Sequence, residues 1–226
     1  MVVASIHIAD VGIARALRML RGPGEVTGLV SADAAIAAAL RSGRVARPMP
    51  GRAALVAFWE GDDALDRFLD DHPYADKLSG GWYARLEPLR AFGSWPGLPA
   101  DIERSRAPSH HGPAMVVTLG RLRLSRARRF LRTSRPAEAA ALSSPGLLWG
   151  TALARPPFVS TVTVWESTEA LSTYAYGAEP DAHTRAISAD RDKGFHHQSA
   201  FIRFRPVETV GRLNGRNPLR DDVVRR

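Results

Sequence analysis

Four blocks of this chain recur in the same order, and a collinear repeat constrains a fold more tightly than any single motif, because each copy must be one supersecondary unit. FWEGDDALDRFL from Phe58 is matched by VWESTEALSTYA from Val164, so that Trp59 and Trp165, Glu60 and Glu166, Ala64 and Ala170, Leu65 and Leu171, and Phe68 and Tyr174 all stand 106 residues apart. RALRMLR from Arg15 lies over RARRFLR from Arg126, and PGEVTG from Pro23 over PGLLWG from Pro145. RLEPLRAFGSWPG from Arg85 matches RFRPVETVGRLNG from Arg203, which sets Pro88 over Pro206, Gly93 over Gly211 and Gly97 over Gly215. Chance gives one block but not a series, so the chain reads as a tandem duplication with roughly 100 residues per copy. The copies are 1–97 and 114–219, the Pro-, Gly- and Ser-rich stretch 98–113 links them, and 220–226 reads as a disordered tail.

Each copy reads strand, helix, strand, strand, helix, strand. The first runs VVASIHI, the short basic helix IARALRMLR, VTGLV, AALVAFW, the helix ALDRFLDDH and WYARLEPLRAF. The second runs MVVTLG, SRARRFLRTSR, LLWGTALA, VSTVTVW, a long helical region to Lys193, and SAFIRFRPV. An additional short helix is expected in AAIAAAL or AEAAAL. This order is the ferredoxin-like βαββαβ unit. One unit leaves a sheet face uncovered, and two can pack their sheets into an α+β barrel with helices outside, a dimeric α/β-barrel arrangement within one chain. Such a chain is either a complete pseudo-dimer or forms a homodimer of pseudo-dimers.

Composition narrows the chemistry. The chain has 226 residues, 45% of them hydrophobic, enough for a sizeable core. It has no cysteine, which excludes disulfides, thiolate zinc sites, iron–sulfur clusters, a cysteine nucleophile and thiolate-ligated haem. No apolar run approaches about 18 residues, and the opening MVVASIHIADVG reaches Asp10 too soon for a secretory segment, so a cytoplasmic protein is expected. The net charge of +8 favours anionic surfaces. Its densest part is RLRLSRARRFLRTSR, with Arg121, Arg123, Arg126, Arg128, Arg129, Arg132 and Arg135. This run reads either as a solvated helix face or as a contact for lipid headgroups or porphyrin propionates, with peripheral membrane contact following from the first of these partners. No nucleic-acid reader motif accompanies the charge, so nucleic acid is not an expected partner.

Walker A, GxGxxG, GxSxG and HExxH signatures are all missing. Asp62, Asp63, Asp70 and Asp71 fall on a helix as a solvated face. His7 and His72 look structural, His110 and His111 lie in the linker, and His196 and His197 precede the last strand in a packing, capping or pocket-lining role. His183 stands apart. In PDAHTRAISADRDKG, Pro180 suits a first helical turn and Gly194 the position past the end. His183, Ala186, Ile187 and Asp190 then share one face. On spacing alone His183 reads first as a core histidine holding a backbone carbonyl, and the small alanines beside it leave room for something flat.

The order VTVWESTEALSTYAYGAEPDAHTRAISADRDKGFHHQSAFIRFRPV, ending GRLNGRNPL, resembles the spheroidene monooxygenase family of acyclic carotenoid ketolases. The matching features are Trp165 after a strand, the Tyr174-Ala-Tyr176 stretch, His183 followed by Arg185, Ala186 and Ile187, then Arg191, the Arg203-Phe204 strand and the terminal Gly-Arg-Asn-Pro-Leu. The likeness is close over 158–219 and looser over the first copy. It implies a haem-dependent monooxygenase on a dimeric α/β-barrel scaffold, using dioxygen and a ferredoxin-type or other electron donor on a carotenoid-like hydrophobic substrate. Two hydroxylations at one carbon would give a ketone after dehydration. By the resemblance His183 is the axial ligand to the iron of haem b, while Trp165, Tyr174, Tyr176, Arg185, Ile187 and Phe195 bind the cofactor or line the substrate side. Two departures bear on substrate choice: Phe195, His196, His197 and Gln198 replace a Trp-Phe with an acid, and Leu213 replaces an aromatic residue. The competing readings are a haem carrier or sensor, a cofactor-free barrel monooxygenase or lyase with His183 as base, and a membrane-docking module with a vestigial cleft.

Overall fold

The period-two apolar runs fold as strands, and a computed structural model describes them within residues 2–40, 47–99, 102, 110–176 and 194–219. The first copy contributes β1 (Val3–Asp10), α1 (Ile13–Met19), β2 (Leu29–Ala39), β3 (Arg47–Trp59), α2 (Asp62–Asp71), α3 (Pro73–Asp76) and β4 (Trp82–Gly93). The second contributes β5 (Ala114–Leu122), a 3-10 turn (Leu124–Arg126), α4 (Ala127–Ser143), β6 (Leu147–Arg155), β7 (Phe158–Trp165), α5 (Thr168–Tyr176) and β8 (His196–Gly211). The long helical region expected before Lys193 is described only as α5. Its remainder, most of the linker and the tail 220–226 lie outside the described residues.

The eight strands close into one barrel in the order β1-β3-β2-β6-β7-β5-β8-β4. Every pairing is antiparallel. Within each copy the order is that of the ferredoxin-like unit, and the copies join where β2 meets β6 and β4 meets β8, each strand beside its own duplicate. In the β4–β8 ladder Trp82 faces Gly211 and Gly93 faces Ala200, equivalent positions exchanged about an internal two-fold axis. The fold expected from the repeat is the fold observed.

Alternation sorts the side chains into two layers. Ile6, Ile8, Val56, Phe58, Met115, Val117, Val162, Val164, Ile202 and Phe204 point inward and fill the barrel. The opposite faces of the same strands carry the helices. Each barrel mouth is capped by a glycine-flanked block, with Trp95 buried in one and Leu213 in the other. At the Leu213 mouth, Arg52 donates to both oxygens of Asp10 at 2.8 and 2.6 Å and to Asn214 Oδ1 at 2.8 Å. At the Trp95 mouth, Asp33 lies 3.7 Å from Arg121 and 3.5 Å from Arg155.

Two expectations are corrected. The alanine-rich AAIAAAL is part of β2 rather than a helix, because β3 pairs with one side of it and β6 with the other, and this pairing overrides alanine's helical preference. AEAAAL forms the end of α4. The glycine register also shifts: Gly28, not Gly24, is the partner of Gly146. Gly28 and Gly146 have φ of 79° and 81°. Gly28 O accepts from Glu60 N, and Gly146 O from Glu166 N, both at 2.9 Å. A Cβ at Gly28 would meet Ala64 at 2.5 Å, and one at Gly146 would meet Ala170 at 2.6 Å, so each glycine lets a helix approach the strand that follows it. The shared Pro-Gly dipeptide is turn chemistry and carries no register. Among the described residues no helix is long and apolar enough to cross a membrane.

Candidate functional site

The outer faces of the two half-barrels have equivalent backbones and different side chains. On the first, Ala34, Leu55, His7 and Tyr83 form one row across β2, β3, β1 and β4. Leu55 and His7 are buried. The imidazole of His7 stacks on Tyr83 with centroids 5.3 Å apart, meets Phe68 edge-on at 5.8 Å, and its Nε2 lies 3.0 Å from Ser5 Oγ. Met19 of α1 and Ala64, Leu65 and Phe68 of α2 complete a continuous buried layer. Burial holds His7 far below the usual imidazole range, down to about 3, so it is a neutral packing group.

On the second half the corresponding row is Ala152, Thr161, Thr118 and Phe201, and all four are half-buried. The flanking rows carry Ala154, Val159, Gly120 and Ser199 on one side, and Gly150, Thr163, Val116 and Arg203 on the other. Leu55 is thus replaced by Thr161, His7 by Thr118, and Tyr83 by Phe201. Helix α4 crosses this floor without closing on it. Ala141, near its C-terminal end, is its one buried residue. Phe130 near its start meets His196 at 5.2 Å and Phe195 at 6.1 Å, both edge-on. The His196 ring lies over Gly120, where a Cβ would come within 2.6 Å of it. Among the described residues the floor beneath α4 is made mostly of small side chains, where the first half is filled by Leu55, His7 and Tyr83.

The structure brings some of the expected residues to this cleft. Phe195 is buried at its edge, with the Arg129 guanidinium 5.7 Å from the ring centroid. Tyr174 stacks on Trp165 with centroids 4.9 Å apart, and its hydroxyl donates to Ala137 O at 3.1 Å, tying α5 to α4. Trp165 is wholly buried, and its Nε1 donates to Thr163 Oγ1 at 2.9 Å. It duplicates Trp59, whose Nε1 donates to Ser5 Oγ at 2.9 Å and which packs on Phe68 at 4.8 Å. Both tryptophans are buried against the helix that follows them, but Trp59 donates to the neighbouring strand β1 and Trp165 within its own strand β7. Tyr176 ends α5, and His183, Arg185 and Ile187 lie outside the described residues. They fall in the stretch by which the α5–β8 connection exceeds its counterpart: helix positions match at an offset of 106 and the closing strands at 118, twelve residues more.

Other candidates resolve as structure. His72 Nδ1 accepts from Tyr74 N at 3.1 Å, and His110 Nε2 lies 2.9 Å from Pro113 O. Asp62 and Asp66 meet Arg85 across the α2 surface. Leu213 is buried in the barrel where its counterpart is Trp95, so that departure concerns a barrel mouth, whereas Phe195 and His196 border the cleft. Sequence reasoning missed Gly120, Thr118, Thr161 and Phe130. The signal for the floor was present, since these are positions where the two copies disagree. Asp33 was also missed: burial raises its carboxyl above the usual range, against the pull of Arg121 and Arg155. Among the described residues no group of three or more His, Asp or Glu could hold a metal ion.

No family model matches this chain. It is 27% identical over 144 residues to spheroidene monooxygenase of Rhodobacter capsulatus, covering 62% of this chain and 59% of that protein. It is 21% identical over 178 residues to spheroidene monooxygenase of Cereibacter sphaeroides, covering 76% of this chain and 54% of that one. The matched span is therefore little more than half the length of either relative. Among solved structures, an aldoxime dehydratase crystallised with butyraldoxime aligns with a TM-score of 0.53 at 9% identity, covering 91% of this chain and 79% of that one, a likeness of fold alone.

Proposed function

We propose that this chain, a distant homologue of the spheroidene monooxygenases, is a haem-dependent monooxygenase that oxidises a carotenoid or another long hydrophobic substrate with dioxygen and an external electron donor. The observation that supports this most is the contrast between the two outer faces. One is sealed by Leu55, His7, Tyr83 and Phe68, and the other is stripped to Ala152, Thr161 and Thr118 beneath α4.

In this reading His183, within the extra residues between α5 and β8, holds the iron of haem b through its imidazole. Haem when bound supplies the activation of dioxygen and the oxidation of a C–H bond. The chain supplies the rest. Val116, Val159 and the methyl groups of Thr118 and Thr161 present a surface that excludes water from one flat face. Phe130 and Phe195 give that face an aromatic edge, while Trp165 and Tyr174 hold α5 against α4. Arg129 beside Phe195, with Arg185, meets acid groups at the rim through charge-assisted hydrogen bonds.

The test is an absorption spectrum of protein expressed with haem precursor, beside His183→Ala and followed by incubation with an acyclic polyene and a reducing system. A Soret band lost or shifted in the variant, together with an oxygenated product from the parent, is the expected outcome. Haem without product from any polyene would leave a carrier or sensor, and no haem retained after reconstitution with excess hemin would sink the reading altogether.

A further inference from the structure

The outward stripe of α4 is charged in a way that costs the folded protein stability. The helix has no acidic residue in its first turn, and Arg126 at its N-cap position makes no side-chain cap. Cations at that end oppose the helix dipole. Arg128, Arg132 and Arg135 follow at spacings of four and three, where like charges repel. Among the described residues, Arg123, Arg126, Arg128, Arg132 and Arg135 join no ion pair, although Arg52, Arg85, Arg155 and Arg205 each face a carboxylate. Leucines share the stripe. Leu131 is 48% and Leu142 42% exposed, and Leu124 in the turn leading into the helix is 62% exposed. The opposite stripe, with Phe130, Ala137 and Ala141, is the one that faces the protein.

We infer that this stripe docks the protein on an anionic lipid bilayer. Unneutralised guanidinium groups beside exposed leucines are complementary to a surface that offers phosphate at one depth and hydrocarbon just below it. A nucleic acid would satisfy the arginines and leave the leucines in water. Because α4 also forms the raised side of the cleft, docking sets the cleft against the bilayer, where a long apolar molecule enters without crossing water. The docking itself does not depend on haem or on the proposed reaction.

The test is flotation of the full chain with phosphatidylcholine vesicles, with and without phosphatidylglycerol, at low and raised salt. The protein is expected to float with the anionic vesicles only, and less so as salt rises. Arg128→Glu, Arg132→Glu and Arg135→Glu together are expected to lower partitioning by about a hundredfold without lowering Tm, since an acid at position 128 suits the helix N-terminus. Leu131→Ser with Leu142→Ser weakens binding without changing charge. Arg67→Glu with Lys77→Glu, in α2 and just after α3 of the other half, where no large hydrophobic side chain is exposed, is expected to leave binding unchanged. Glutamine at the three α4 positions gives the same ordering if the reversals disturb the helix. Equal loss from the Arg67/Lys77 and α4 variants, no flotation of the parent, or tighter binding to an oligonucleotide than to the vesicles would overturn the inference.

Discussion

The row Ala34, Leu55, His7, Tyr83 and the row Ala152, Thr161, Thr118, Phe201 occupy equivalent backbone positions, yet the first is sealed under Phe68 and Met19 while the second stays half-buried under α4. Among the described residues most of the outer-layer burial therefore sits in one copy. Among the described residues the second outer cluster has only Ala114, Trp165 and Leu171 buried. Since net stability is a small difference between large terms, one well-packed copy locked to the other through a shared barrel leaves the second free to give up buried area to a ligand.

The contrast can be broken from the packed side first. Phe68→Ala should cost about 3–5 kcal/mol, while Tyr174→Ala at the matching position should cost under about 2 kcal/mol, measured by denaturant unfolding. Equal losses would mean that the two layers are equally packed. Next comes an exchange of floor residues. Leu55→Thr should cost about 2–4 kcal/mol, from a lost apolar contact and a buried hydroxyl. Thr161→Leu should leave Tm unchanged or raised and reduce haem retention on titration with hemin. A Thr161→Leu protein that takes up haem as the parent does would remove the floor from the proposed site.

A further effect depends on acid. Folded His7 stays neutral down to about pH 3, whereas an unfolded imidazole takes up its proton near 6.5, so between those values the unfolded chain binds more protons. The contribution of His7 is complete above about pH 6.5 and falls as pH drops through that window, by at most about 1.4 kcal/mol per unit. Stability measured from pH 7 to 4 should flatten in His7→Gln. Thr118, at the equivalent place, adds no such slope from the second half.

The repeat made the architecture legible because Trp59 and Trp165, or Gly93 and Gly211, answer needs that both copies share. What the sequence hid was set by tertiary contacts, between copies in one case and within each copy in the other. AAIAAAL looks helical until β6 is there to pair with it, and the partner of Gly146 is decided by Ala64 and Ala170 pressing on glycine rather than by a shared Pro-Gly. Of the residues named by resemblance, Phe195 lies beside Phe130 and Tyr174 on Trp165, and their part in the site belongs to the proposal. Trp165 has the buried counterpart Trp59, so the repeat alone accounts for its burial. The floor was readable only by subtraction, as His7 against Thr118 and Leu55 against Thr161. His183, Arg185 and Ile187 lie outside the described residues, and their roles rest on the proposal.

Closure of the sheet has one more consequence. Each four-stranded unit alone would present two bare edge strands, β2 and β4 or β6 and β8, which are templates for runaway strand addition. In the duplicated chain every one of these edges is consumed by its own duplicate, so the copies act as each other's protection against aggregation. Either copy expressed alone should self-associate, and two intact chains that meet must do so through helices or barrel mouths rather than by extending the sheet.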